Sequence, residues 1–223
     1  MFSNFEKFKI IIINLIRSIA KLFGILIIRD RPANNPQKQL SAVLRLLKID
    51  VVFDIGANDG QFARKIREHG YRGKIISFEP LTSARNNLLS FALRDPDWQV
   101  HGQSAIGDQD GEIEINISAN SVSSSVLPML ETHSIAAVGS SYVGSEKIPI
   151  FKLDSIANLY LEKNSNFFIK IDTQGYEWQV LDGADKTLKG AQGVICELSL
   201  VPLYHGQRLW RDIVDRLDQQ GFM

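Results

Sequence analysis

The spacing of apolar side chains changes period along this chain, and each change marks a different kind of element. Near the N-terminus Ile11, Ile12, Leu15, Ile19, Leu22, Phe23 and Leu26 recur at helical spacing, while Asn14, Arg17, Ser18 and Lys21 gather in one polar stripe. That pattern predicts an amphipathic helix with a wide apolar face within residues 1–31. Two prolines and two asparagines between Arg31 and Pro36 predict a linker, and Leu40, Val43, Leu44 and Leu47 predict a short helix after it, together filling residues 32–50. From Val51 the period switches. Apolar runs at 51–55, 74–79, 99–106, 167–172 and 193–200 predict buried parallel strands, and helices starting near Gln61, Leu81, Ser155 and Tyr176 predict right-handed crossovers between them. One segment departs from this alternation: Glu112 to Ser118 alternates strictly for seven residues, the mark of a half-exposed antiparallel strand. With the serine-rich loop 121–125 and a further strand over 147–153, it predicts an antiparallel insertion across residues 108–152. A helix over 207–220 capped by Gly221 is followed by Phe222-Met223, which reads as the first step of another strand, so the sheet is expected to be cut short at its C-terminal end.

These elements predict an α/β fold with a doubly wound sheet over residues 51–223. At 223 residues, 44% hydrophobic and 22% charged, the chain is long enough and ordinary enough to build a full core. Its 25 basic and 25 acidic side chains cancel, so no overall field draws in nucleic acid, and no nucleic-acid partner is expected. The N-terminal 31 residues are the exception, with six basic against two acidic residues, a net +4. Their longest uncharged runs, 10–16 and 22–28, are seven residues each, far below the ~20 needed to cross a bilayer. Arg17 and Lys21 break any signal-peptide core, and no small-x-small cleavage site follows. The helix is expected either to pack on the domain or in a dimer, or to lie in a membrane interface. A cytoplasmic protein follows, held at the inner face of the membrane in the second case. Cys196, the single cysteine, cannot form an internal disulfide and reads as a core thiol in Val194-Ile195-Cys196.

The chemistry concentrates at the predicted strand ends. Val51-Val52-Phe53-Asp54-Ile55-Gly56-Ala57-Asn58-Asp59-Gly60 is an apolar strand breaking into glycines, where backbone N–H groups can approach a ligand. Glu79 closes the next strand 19 residues after Gly60, about the spacing at which an acidic side chain grips a nucleoside ribose. The loop is D-x-G-x-x-x-G, without the middle glycine that admits a dinucleotide pyrophosphate, and it has the shape found in class I S-adenosylmethionine (SAM) methyltransferases. Because ligands in open α/β sheets bind beyond the carboxyl ends of the strands, Asp54, Glu79, Asp172 and Glu197 should face one crevice.

The runs Phe53 to Phe62, Phe78-Glu79-Pro80, Ser104-Ala105-Ile106-Gly107, Lys152-Leu153-Asp154 and Lys170-Ile171-Asp172-Thr173-Gln174-Gly175-Tyr176-Glu177 resemble the FkbM family of SAM-dependent O-methyltransferases. Leu181-Asp182-Gly183-Ala184 and Glu197 fit the same pattern, and the likeness runs from about Val51 to the C-terminus. It implies a class I (Rossmann-like) methyltransferase domain, SAM as cofactor, and methylation of a hydroxyl on a sugar, glycolipid or natural product. The basic N-terminal helix lies outside the likeness. In-line methyl transfer needs positioning and a base for the hydroxyl proton. Gly56, Asn58 and Gly60 would then cradle the amino-acid end of SAM and Asp54 would anchor it. Glu79 would accept from the ribose hydroxyls, and Ser104, Ala105 and Ile106 would line the adenine. Asp172 or His205 would be the base, with Glu177 and Glu197 in support. No His or Cys spacing suggests a metal.

Other chemistries fit less well. A nucleotide-dependent oxidoreductase would need the missing glycine and a Tyr-x-x-x-Lys. Gly139-Ser140-Ser141-Tyr142-Val143 fails the hydrolase elbow at Val143. Enzymes that methylate base amino groups carry Asp/Asn-Pro-Pro-Tyr where this chain has Asp172-Thr173-Gln174-Gly175. A membrane-attached module that binds SAM without turnover is the non-enzyme alternative. Neither the acceptor nor the oligomeric state follows from the sequence.

Overall fold

The computed structural model describes residues 4–27 and 35–222. It divides into two compact units, Met1–Leu40 and Ser41–Met223. The first carries helix α1 (Asn4–Leu22) and the start of α2 (Pro36–Leu46). Most of the predicted linker lies outside the described residues, but its last residue, Pro36, begins α2. Pro36 takes the first helical position, where its missing N–H is no loss, and the Asn35 side chain accepts from the Lys38 N–H at 3.1 Å.

In the second unit the elements follow as β1 (Val51–Ile55), α3 (Gln61–Glu68), β2 (Lys74–Phe78), α4 (Thr82–Ala92), β3 (Trp98–Val100), β4 (Ala105–Ile106), β5 (Gly111–Ser118), α5 (Glu131–Ala136), β6 (Tyr142–Phe151), α6 (Leu153–Ile156), β7 (Phe167–Ile171), α7 (Glu177–Asp182), α8 (Asp185–Leu188), β8 (Gly193–Cys196) and α9 (Trp210–Gln219). Five strands form a parallel sheet in the order β3-β2-β1-β7-β8. The chain winds outward one way from β1 and then returns to add β7 and β8 on the other side. The switch point, where such folds hold ligands, therefore lies between β1 and β7.

The two central strands are buried along their whole length, as the interior of a parallel sheet requires. Phe53, Ile55, Ile169 and Ile171 join Phe78, Leu181 and Ile213 in the main core. Each strand carries one polar residue, Asp54 and Lys170, and the register sets the two side by side.

The antiparallel insertion is a second sheet of order β4-β6-β5, with β5 and β6 antiparallel. It reaches the loops at the carboxyl ends of the main strands, where Ser125 donates to Gln174 O at 2.6 Å. Glu146 accepts from the Thr82 hydroxyl at 2.9 Å, and an antiparallel bridge joins Met129 to Tyr204.

Three expected elements differ. The strand expected over 99–106 is two short strands in different sheets, because the polar turn His101 to Ser104 redirects the chain and Ala105 pairs with Ile150 of the insertion. The last strand stops at Cys196 rather than 200. Glu197 N–H still bonds Ile171 O at 2.9 Å, after which the chain leaves the sheet as an exposed apolar loop. β6 starts at Tyr142 instead of 147, accommodated by a register shift at Ile117/Ser118.

Candidate active site

Two turns at the carboxyl ends of β1 and β2 form one half of the site. The β1 turn passes through Gly56, Asn58 and Gly60, with φ of 71°, 48° and 84°. Both glycines are also demanded by close packing. A Cβ on Gly56 would sit 1.8 Å from the Asp172 carbonyl oxygen, and one on Gly60 would meet Trp98 at 2.8 Å. This folding leaves the Asn58 N–H pointing at Glu79, whose Oε2 accepts it at 2.7 Å while Oε1 accepts the Leu81 N–H at 2.9 Å.

Glu79 is 4% exposed, and burial raises its pKa to about 7, more than those two donors can offset. A carboxylate has about four acceptor positions, so roughly two remain. A buried carboxylate short of donors fits a ligand with a vicinal pair of hydroxyls. Beside it α3 begins at Gly60 without a side-chain cap, a positive dipole end suited to a carboxylate. Ala105 packs with Leu81 and Ala84 just after Glu79, Ile106 belongs to the main core, and the buried Ser104 hydroxyl turns back to Gly102 O at 3.0 Å. These features suit a ligand that carries a vicinal diol and a carboxylate.

At the switch point Lys170 ties β1 to β7. Its ammonium donates to Ile55 O at 3.2 Å and Gly56 O at 2.6 Å, and it pairs with Asp54 at 3.2 Å and Asp172 at 3.5 Å. Burial alone would lower its pKa, but the two carboxylates outweigh burial and the net shift is upward. Asp54 is fully buried and receives the Ser77 hydroxyl at 3.1 Å, which in turn accepts the Trp98 indole N–H at 3.0 Å. Asp54 therefore holds Lys170 under the β1 turn rather than opening onto the crevice. Lys170 is the residue that motif reading passed over. An available signal was its position, since opposite charges occupy the fourth place of two five-residue apolar strands.

The other half of the site follows β7. Gln174 adopts φ of 53°, and its amide Nε2 donates to Asp172 at 3.1 Å and Glu197 at 2.6 Å. Two carboxylates are thus bridged by one amide. Burial and the adjacent Asp172 raise the Glu197 pKa to about 7, although its side chain reaches solvent.

Glu177 is different. Its Oε1 accepts the N–H groups of Thr173 and Gly175 at 3.0 and 3.1 Å, which makes it the clamp of this loop, and burial raises its pKa. His205 is exposed, and its segment is held through its backbone N–H to Pro128 O at 2.8 Å. Its neighbour Tyr204 reaches the cluster instead, donating to Ser123 O at 3.1 Å and lying 3.3 Å from Gln174 Oε1. A cavity of about 230 Å³ opens here, lined by Gln174, Glu177, Glu197 and Tyr204 on one side and Leu198, Leu200 and Val201 on the other. The fold thus gathers Asp172, Glu177 and Glu197 with Gln174 and Tyr204, while the tie at 205 is to the insertion.

A family model described as the methyltransferase FkbM domain matches residues 54–223. No curated protein and no solved structure matches the chain.

Proposed function

The chain belongs to the FkbM methyltransferase family, and from that premise we propose that it transfers a methyl group from SAM to a hydroxyl of a sugar, glycolipid or natural-product acceptor. The observation that carries the donor is Glu79, a buried carboxylate with unfilled acceptor positions beside an uncapped helix start. When bound, SAM supplies an electrophilic methyl on positively charged sulfur, and the remaining work is done by the chain. Glu79 would hold the ribose hydroxyls, and the α3 start would meet the amino-acid carboxylate.

The acceptor enters the cavity at the ends of β7 and β8. There the Asp172–Glu197 pair takes the hydroxyl proton as the O–CH₃ bond forms and the S–CH₃ bond breaks. A carboxyl with pKa about 7 is well matched to proton transfer at neutral pH. Gln174 holds both carboxylates in place, and the Lys170 ammonium lies 3.5 Å from Asp172. The acidic lining favours an uncharged acceptor over a phosphorylated one.

Calorimetric titration with SAM, beside methyl transfer to a panel of hydroxyl compounds, tests both halves. Charge-assisted bonds are worth about 1.5–3 kcal/mol each, so Glu79→Ala should weaken SAM binding by roughly one to two powers of ten or more. Unchanged affinity in that variant would remove the donor assignment. Glu197→Gln should keep SAM affinity and lower turnover by about 10²–10⁴. SAM binding with no methylated product from any hydroxyl class would point to a binding module without turnover.

A further inference from the structure

Helix α1 is amphipathic, and the large apolar side chains described along it are exposed. Phe5, Phe8, Ile12, Leu15 and Ile19 follow one another along that side, and Phe5 is 73% and Leu22 84% exposed. Of the described residues 4–27, those with assigned exposure are all exposed except Ala20, which is half-buried. Nineteen residues make a rod of about 28 Å, yet no helix is long and apolar enough to cross a membrane among the described residues. What covers this face must therefore lie along it.

Charge indicates what that is. Residues 1–31 hold six basic and two acidic side chains, and the whole chain holds 25 of each, so residues 32–223 hold 19 basic and 23 acidic. The helix segment is thus +4 and the remainder −4. Such an asymmetry draws the helix to a negative surface and orients the acidic remainder away from it. The apolar face is also too wide for a two-stranded coiled coil, whose seam needs only two positions in seven, since Ile10 to Ile13 carry apolar side chains most of the way round. A broad apolar surface of phenylalanine, isoleucine and leucine, with Arg17 and Lys21 in a narrow polar stripe, is the composition of a helix lying in a lipid interface.

We propose that α1 lies in the plane of an anionic bilayer, its apolar side among the acyl chains and Arg17 and Lys21 at the headgroups. The full chain should float with vesicles of phosphatidylcholine and phosphatidylglycerol in equal parts, bind pure phosphatidylcholine vesicles far less, and be released as salt rises. Leu15→Asp with Ile19→Asp changes two exposed positions and should abolish binding to both vesicles, with the circular dichroism of the catalytic unit unchanged. Arg17→Glu with Lys21→Glu should cut the partition coefficient for the anionic vesicles by at least about tenfold and erase the preference between the two. Failure of the intact chain to float with anionic vesicles would overturn the proposal, as would undiminished flotation of the Asp variant. A dimer in solution that becomes monomeric in the Asp variant, without vesicle binding by the intact chain, would overturn it in favour of a second copy. None of these readouts depends on methyl transfer.

Discussion

Replacing Lys170 by methionine isolates the charge that the switch point is built around. The side chain is 6% exposed, and methionine keeps most of its length and apolar stem. What disappears is the partner of Asp54, which is 0% exposed and would keep only the Ser77 hydroxyl at 3.1 Å. The Gly56 carbonyl loses the ammonium donor as well, and the Ile55 carbonyl is left with the Asp172 N–H at 3.2 Å. Breaking a buried pair from one side costs about 3–5 kcal/mol, because a charge is left buried and uncompensated. Domains of this size are stable by only about 5–15 kcal/mol, so Lys170→Met should lose roughly a fifth of the total or more. At roughly 2–4 °C per kcal/mol this is a fall in Tm of about 6–20 °C.

The double variant Lys170→Met with Asp54→Asn removes both charges and should recover a substantial part of the loss. Urea unfolding followed by tryptophan fluorescence suits the measurement, since Trp98, Trp178 and Trp210 all lie in the second unit. A single variant within about 1 kcal/mol of the parent would refute the reasoning. A double variant no more stable than the single one would show that the loss comes from packing rather than from an orphaned charge.

Two further outcomes follow from the same geometry. Because burial raises the folded-state pKa of Glu79 from 4.5 to about 7, the folded domain binds a proton there more tightly than the unfolded chain does. The associated stability is present below about pH 4.5 and is lost as pH rises through about 7, on the order of 3 kcal/mol in all. Without SAM, Glu79→Gln should flatten the stability profile over that window, as read by denaturant midpoints, and a parallel pair of profiles would contradict it. Tyr204→Phe keeps a fully buried ring but removes the hydroxyl between Ser123 O and Gln174. It should cost about 0.5–1.5 kcal/mol of stability and lower kcat more than it raises KM, because the loosened Gln174 no longer fixes Asp172 and Glu197.

The central strands were legible because burial on both faces forces continuous apolar runs, and Val51–Ile55 and Phe167–Ile171 are such runs. The insertion was legible for the opposite reason, since a strand with one wet face must alternate, as Glu112 to Ser118 does. Residues 98–106 obey neither rule. Trp98 is buried and Gln99 is not, His101 to Ser104 are polar, and Ala105 is buried again by a different sheet. No local period can report that a chain changes sheets. The early end of β8 was hidden in the same way, because Leu198, Leu200 and Val201 are apolar like strand residues yet line the cavity.

Within the site, residue type identified the carboxylates but not their roles. In sequence Asp54, Glu79, Asp172, Glu177 and Glu197 are equivalent acids at or near strand ends. The fold separates them by what reaches their oxygens. Asp54 is met by an ammonium, Glu177 by two backbone N–H groups of its own loop, and Glu79 by two from separate turns with acceptor positions to spare. Asp172 and Glu197 are brought together from different strands and share one amide donor, and burial together with the nearby Asp172 raises the Glu197 pKa. His205 was conspicuous in sequence because histidine titrates near neutrality, whereas Tyr204 carries no such flag. The bridge between Met129 and Tyr204, with the backbone bonds on either side of it, brings the tyrosine hydroxyl to Gln174. The placement of the amide that bridges the two acids therefore depends on the insertion as well as on the β7 loop, because Ser125 donates to Gln174 O and Tyr204 meets its side-chain oxygen.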